Sequence, residues 1–236
     1  MASRSGLAKE LDRPIWASLT GAHAALAVGD GRAWRYRPDV NVFVAPADEG
    51  EEALAAAAAL VAPGDEVYRV QADAIADLPG LAVTFRRRVV QMVFDGGAPD
   101  LAPADAIVPL GESDAEEMLA LALLTKPGPF RRDTRLMGEF VGVKRDGRLA
   151  AMAGTRFRPP GHCELSGVCT HPDFAGEGLG TRLSAYVTAA ILARGEIPFL
   201  HAWSDNHGAI ALYERLGYRL RRELNVAGFA RLTASA

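Results

Sequence analysis

The stretch ELSGVCTHPDFAGEGLGTRL, Glu164 to Leu183, decides how this chain is read. Leu165 to Thr170 has the composition of a buried strand, Pro172 opens a turn, and Gly176, Gly178 and Gly180 make a glycine-rich loop. Leu179, Leu183, Val187, Ala190 and Ile191 then recur at helical spacing, so the loop delivers the chain into an amphipathic helix ended by Gly195. Glycines allow a ligand close to the backbone, and the first amides of a helix are unpaired, with the positive end of the helix dipole behind them. Strand, glycine loop and helix start together form a cradle for a phosphate or pyrophosphate. The donors expected there are the backbone amides from Gly176 through Glu177, Gly178, Leu179 and Gly180 to Thr181.

Working outward, the preceding segment reads as a hairpin. Glu139 to Arg145 and Arg148 to Phe157 are strands joined by Asp146-Gly147. Before them come a strand at Ile107 to Leu110, a helix capped by Glu112-Ser113-Asp114 and running through Leu124, a loop from Thr125 to Phe130 and a short helix from Arg131 to Leu136. After the glycine loop and its helix, Ile197 to Trp203 is a strand, Ser204-Asp205-Asn206 caps a helix that runs to Leu216, and Tyr218 begins the last strand. Residues 1–104 have a similar texture of short strands around an alanine-rich helix at Ala53 to Ala62, a short helix at Ala72 to Leu78 and a long extended run from Leu81 to Phe94. The Gly/Pro-rich break at Asp95 to Pro103 places a domain boundary near 104/105.

With 236 residues, 49% of them apolar and 23% charged, the chain is long enough for a sizeable core. A net charge of −3, with Arg86 to Arg88 as its one arginine cluster, argues against nucleic acid as a partner. The most apolar run, Ala53 to Ala62, is about half the length a membrane span requires, and the first residues lack a signal-peptide pattern, so a cytoplasmic protein without a membrane partner is expected. Cys163 and Cys169 sit on one predicted strand, roughly 20 Å apart and on the same face, too far for a disulfide or a shared metal. No metal site is expected.

The segment Thr170-His171-Pro172 followed by Gly178-x-Gly180 at a helix start resembles motif A of the GNAT superfamily of acyl-CoA-dependent N-acyltransferases. Asp205 to Tyr218, DNHGAIALYERLGY, resembles that family's motif B. The resemblance covers roughly the last 130 residues, and two motifs in the family's order with a suitable helix and strand between them make it specific. It implies an α/β (α+β) fold, a mixed and mostly antiparallel sheet flanked by helices, with the smaller N-terminal segment compatible with a degenerate copy that covers the acceptor side. It implies transfer of an acetyl or short acyl group from acyl-CoA to a small-molecule or peptide amine by direct attack, in a monomer or homodimer. A non-catalytic CoA-binding sensor or interaction module on the same fold is the alternative. One departure is Ala175, where the family usually places Gln or Arg.

Carried over residue by residue, the resemblance implies that Tyr213 protonates the departing thiolate and that Asn206 bonds the pantetheine amide, a role compatible with a helix N-cap. Val168, Cys169 and Thr170 would present backbone to the pantetheine arm where their strand splays from Ile197 to Trp203, with the Val168–Cys169 peptide polarising the thioester. Glu164 is the candidate general base, as a half-buried carboxylate with a raised pKa. An ion pair between Glu164 and an arginine such as Arg156 stands beside that reading. The glycine spacing G-x-G-x-G lacks the dinucleotide fingerprint, and no Lys-Ser/Thr follows for a nucleoside-triphosphate loop.

Overall fold

The computed structural model describes residues 7–97, 99 and 107–233. In chain order the elements are α1 (Leu7–Asp12), α2 (Pro14–Leu19), β1 (Ala27–Gly29), β2 (Ala33–Tyr36), β3 (Val44–Pro46), α3 (Glu51–Ala59), β4 (Glu66–Gln71), β5 (Ala82–Phe94), β6 (Ile107–Leu110), α4 (Ala115–Thr125), β7 (Phe140–Arg145), β8 (Arg148–Thr155), β9 (His162–Thr170), α5 (Leu179–Ala193), β10 (Ile197–Trp203), α6 (His207–Arg215) and β11 (Tyr218–Ala230). Eight strands form one sheet in the order β4-β11-β5-β10-β9-β8-β7-β6, and β1, β2 and β3 form a small second sheet. Every pairing in the large sheet is antiparallel except β9 with β10. This is the mixed, mostly antiparallel α+β architecture expected from the sequence.

Helix α5 buries Leu179, Leu183, Val187 and Ile191 against one face of the sheet, where Cys163, Leu165, Leu200 and Ala202 meet them. On the opposite face, Leu11, Ile15 and Leu19 from the N-terminal helices pack with Phe157 and Phe199, while Met118, Leu121 and Ala122 of α4 pack with Phe140, Met152 and Cys169. The sheet is thus covered on both sides, which is why its central strands carry apolar residues at nearly every position.

Three kinds of expectation change. The 104/105 boundary lies outside the described residues, but the division into separate units is not what the sheet shows: β5 is inserted between β10 and β11, and β4 pairs with β11. Strand pairing across the two halves, which local composition does not report, builds one sheet from both. Second, no helix forms at Ala72 to Leu78. Side chains take the carbonyls a helix would need: Asn225 Nδ2 donates to Ala72 and Asp73 at 3.0 Å, Gln71 Nε2 to Ala74 at 2.9 Å, Arg86 Nη1 to Ile75 at 2.9 Å and Arg69 Nη1 to Ala76 at 2.9 Å. The short helix at Arg131 to Leu136 is likewise replaced by a 3-10 turn over Thr134–Met137.

Third, the two cysteines face opposite ways. Between Met152/Cys169 and Gly154/Ser166 the register slips by one residue on β9, a bulge at whose centre Gly167 has φ +63°. A Cβ at Gly167 would lie 2.9 Å from the Phe140 ring, so only glycine fits. The extra residue flips the alternation: Cys163 packs under α5, Cys169 under α4. Both thiols are free, and burial pushes each up to about 11.

Candidate active site

The parallel ladder between β9 and β10 pairs Ile197 with His162, Pro198 with Cys163 and Phe199 with Glu164, and then stops. Beyond Glu164 the bulge turns β9 toward β8, and the two strands part. A cavity of about 410 Å³ opens in the gap. On one side it is lined by Val168, Cys169 and Thr170 of β9 and by Asn206, Ala209 and Tyr213 at the start of and along α6. On the other side it is walled by Phe43, Tyr68 and Val70 from the N-terminal half, by Arg156 and Phe157, by His201 and Trp203 of β10, and by the Thr125–Pro129 loop. The cavity therefore passes through the sheet, joining the α6 side to the N-terminal side.

At the mouth on the α5 side, Gly178 is the N-cap of α5 with φ +74°, and Gly176 has φ +86°. A Cβ at either would meet nothing within 4 Å, so these glycines serve the left-handed backbone rather than a tight packing contact. The first intrahelical bond runs from the Arg182 amide to the Gly178 carbonyl at 3.1 Å, and no side chain caps the helix. The amides of Leu179, Gly180 and Thr181 consequently point out of the helix end. Leu179 itself is buried, so it serves the cradle by its backbone; Glu177 and Thr181 are exposed.

Asn206 is where the sequence places it, as the N-cap of α6, accepting from the Ala209 amide through Oδ1 at 3.1 Å. Tyr213 stands edge-on to Tyr218, ring centroids 5.9 Å apart. Burial, then the Glu164 carboxylate, pushes its phenol up to about 12.

Glu164 departs from the expectation. It is fully buried rather than half-buried. Arg156 grips it with Nε to Oε2 at 2.8 Å and Nη2 to Oε1 at 2.7 Å, the Phe157 amide donates at 3.1 Å, and His201 Nδ1 lies 2.7 Å from Oε1. Burial alone would raise this carboxyl; the Arg156 charge and fork, joined by His201, overturn that and hold it at about 2. A carboxylate that acidic, with both oxygens engaged, is a poor proton acceptor, and the ion-pair reading with Arg156 is the one the geometry fits.

His201, which the sequence did not single out, sits between Glu164 and Gln91, whose Nε2 lies 3.0 Å from His201 Nε2 and also donates to the Leu11 carbonyl at 2.9 Å. With Nδ1–H directed at the carboxylate and Nε2 accepting from the amide, both ring nitrogens are committed and the imidazole presents its ring to the cavity. Phe43, Tyr68 and Trp203 were also missed, being scattered over 160 residues of chain without local motif, whereas Arg156 was named only as a pairing partner for Glu164.

Comparisons with known proteins supply the family. The family described as FR47-like protein matches residues 140–226. The N-alpha-acetyltransferase RimI of Mycobacterium tuberculosis is 31% identical over 110 residues, which span 43% of this chain and 68% of that protein. The crystal structure of a protein from Novosphingobium aromaticivorans assigned to the GNAT acetyltransferases superimposes with a TM-score of 0.87 at 44% identity, covering 94% of this chain and 99% of that one. A GCN5-related N-acetyltransferase from Kribbella flavida shares the fold at 19% identity, TM-score 0.60, over 90% of this chain and 94% of that one. These relatives and the shared fold make this an acyltransferase. The chain belongs to the GNAT family of N-acetyltransferases.

Proposed function

We propose that the protein transfers an acetyl or other short acyl group from acyl-CoA to an amine seated on the N-terminal side of the cavity, by direct attack in a ternary complex. The observation that carries this is the single cavity running from Asn206 and Tyr213 through the β9–β10 gap to Phe43, Tyr68 and Phe157. Acyl-CoA suits the residues present: an exposed glycine-capped helix end for the pyrophosphate, and a parted strand edge at Val168, Cys169 and Thr170 along which the pantetheine amides pair as an added strand. Asn206 has spare amide hydrogens for the same arm while its oxygen caps α6. The peptide at Val168–Cys169 polarises the thioester carbonyl. In this reading the N-terminal half covers the acceptor side.

In the transfer a C–N bond forms, the C–S bond breaks, and the amine gives up a proton. Glu164 does not take it; water in the cavity does. Tyr213 at about 12 is a weaker acid than a thiol of reference pKa near 8.5. It therefore stabilises the departing sulfur by donating a hydrogen bond, and the thiolate leaves as such or collects its proton from solvent. Calorimetric titration with acetyl-CoA tests the reading: binding by the native protein that disappears in Gly178→Glu places the cofactor on the cradle. Thiol release falling roughly 10²-fold in Tyr213→Phe, with acetyl-CoA affinity unchanged, supports the role of the phenol. Absence of acetyl-CoA binding by the native protein sinks both.

A further inference from the structure

The acceptor end of the cavity is marked by what lines it and by what does not. Its walls are the rings of Phe43, Tyr68, Phe157 and Trp203, and its charged side chains are Arg156 and Lys126; no aspartate or glutamate is among them. Three carboxylates bonded to or following its lining residues have partners of their own. Glu164 lies behind the wall, held by Arg156 and His201. Glu66 accepts from Thr84 at 2.6 Å and Tyr68 at 3.4 Å, and Asp205 pairs with Arg87 at 2.8 Å.

Arg156 spends Nε and Nη2 on Glu164, and its guanidinium lies 5.1 Å from the Phe43 ring centroid and 4.6 Å from that of Phe157. Nη1 makes no hydrogen bond to any described residue and lies toward Gly128, 3.9 Å from where a Cβ there would be. Lys126 is exposed on the same loop and has no ion-pair partner among the described residues. Its backbone is left-handed (φ +52°), anchored by its amide to the Ala122 carbonyl at 2.8 Å and followed by Pro127, so the loop that carries its ammonium is stiff at this point.

A polycation entering this space would meet the Lys126 ammonium, the spare Nη1 of an Arg156 already paired with Glu164, and no acceptor carboxylate. We propose that the acceptor is a small amine bearing both a carboxylate and an aromatic or branched apolar body, its carboxylate held by Arg156 Nη1 and Lys126 and its body packed among Phe43, Tyr68 and Trp203. This rests on the acyl-transfer reading above and narrows it. The aromatic walls supply burial, and the Lys126 ammonium with the spare Arg156 N–H favours an acceptor that brings its own anion.

The test compares CoA release with phenylalanine, 2-phenylethylamine and spermidine as acceptors, after calorimetry with acetyl-CoA. The expected order in kcat/KM is phenylalanine above 2-phenylethylamine by about tenfold or more, with spermidine last. Lys126→Glu should remove the preference for the carboxylate, and Lys126→Arg should restore it, with thermal melting confirming that both variants fold. Equal or better use of spermidine or 2-phenylethylamine overturns the proposal. So does a protein that binds acetyl-CoA yet releases CoA with none of the three, an outcome that leaves the cofactor reading standing. Failure to bind acetyl-CoA at all overturns the acyl-transfer reading and this proposal with it.

Discussion

At the start of α5 the chemistry belongs to the backbone; around Glu164 it belongs to side chains. The glycine loop offers amides at an exposed helix end, with Gly176 and Gly178 in left-handed backbone and open space around both. Any change there acts on a local conformation. The Glu164 cluster is buried, and each member is fixed by another: Arg156, the Phe157 amide, His201, then Gln91, which receives Arg221 Nη1 at 2.7 Å. Arg221 Nη2 in turn reaches Asp12 Oδ1 at 2.7 Å, so the chain of contacts ends on α1. A loop of amides fails one donor at a time, whereas a buried charge network fails as a unit.

The sharpest way to break the contrast is Arg156→Leu. It strands the Glu164 carboxylate in the interior, and the expected loss of stability is about 3–5 kcal/mol, read by urea unfolding. A loss below about 1 kcal/mol would mean that the cluster is no more cooperative than the loop.

Next in size is the response to acid, where two buried groups act in the same direction. Burial holds His23 down at about 4 from its ordinary 6.5, against a backbone contact with Met137 that raises it. The unfolded chain therefore binds a proton there before the folded one does, and stability falls as pH drops from 6.5 toward 4, by about 3 kcal/mol in all. Glu164 at about 2 against an ordinary 4.5 adds stability that is complete above 4.5 and is lost as pH falls toward 2, again about 3 kcal/mol. His23→Gln should flatten the upper limb and leave the lower one. Stability that does not change between pH 7 and 4.5 in the native protein would contradict the His23 assignment.

The smallest effect is expected at the loop. Gly178→Ala places a Cβ where there is room but asks alanine for φ +74°, at a cost of about 1 kcal/mol. Chemical denaturation measures it, and a cost as large as that of Arg156→Leu would erase the distinction between the two regions.

How much was legible follows the same line. The loop, the α5 face and the α6 cap were all readable, because each is set by residues a few positions apart: Gly178 beside Leu179 and Leu183, Asn206 beside Ala209. The helix expected at Ala72 to Leu78 failed because Asn225, far along the chain, claims its carbonyls. The same-face reading of Cys163 and Cys169 failed because strand alternation does not announce a bulge, although Gly167 was its local trace. The basicity expected of Glu164 failed because the sign of a pKa shift depends on which charges surround a buried group, and those come from Arg156 and His201.

By itself, then, the sequence determined the local devices: a glycine-capped helix behind a strand, a capped second helix and the hairpin before them, since periodicity and backbone freedom act over a few residues. Only the tertiary structure decided that β5 enters between β10 and β11, that Phe43 and Tyr68 wall the cavity, and that Glu164 is buried in an ion pair with Arg156. Pairing partners, cavities and buried electrostatics are fixed by contacts between distant segments, and these form only when the whole chain packs.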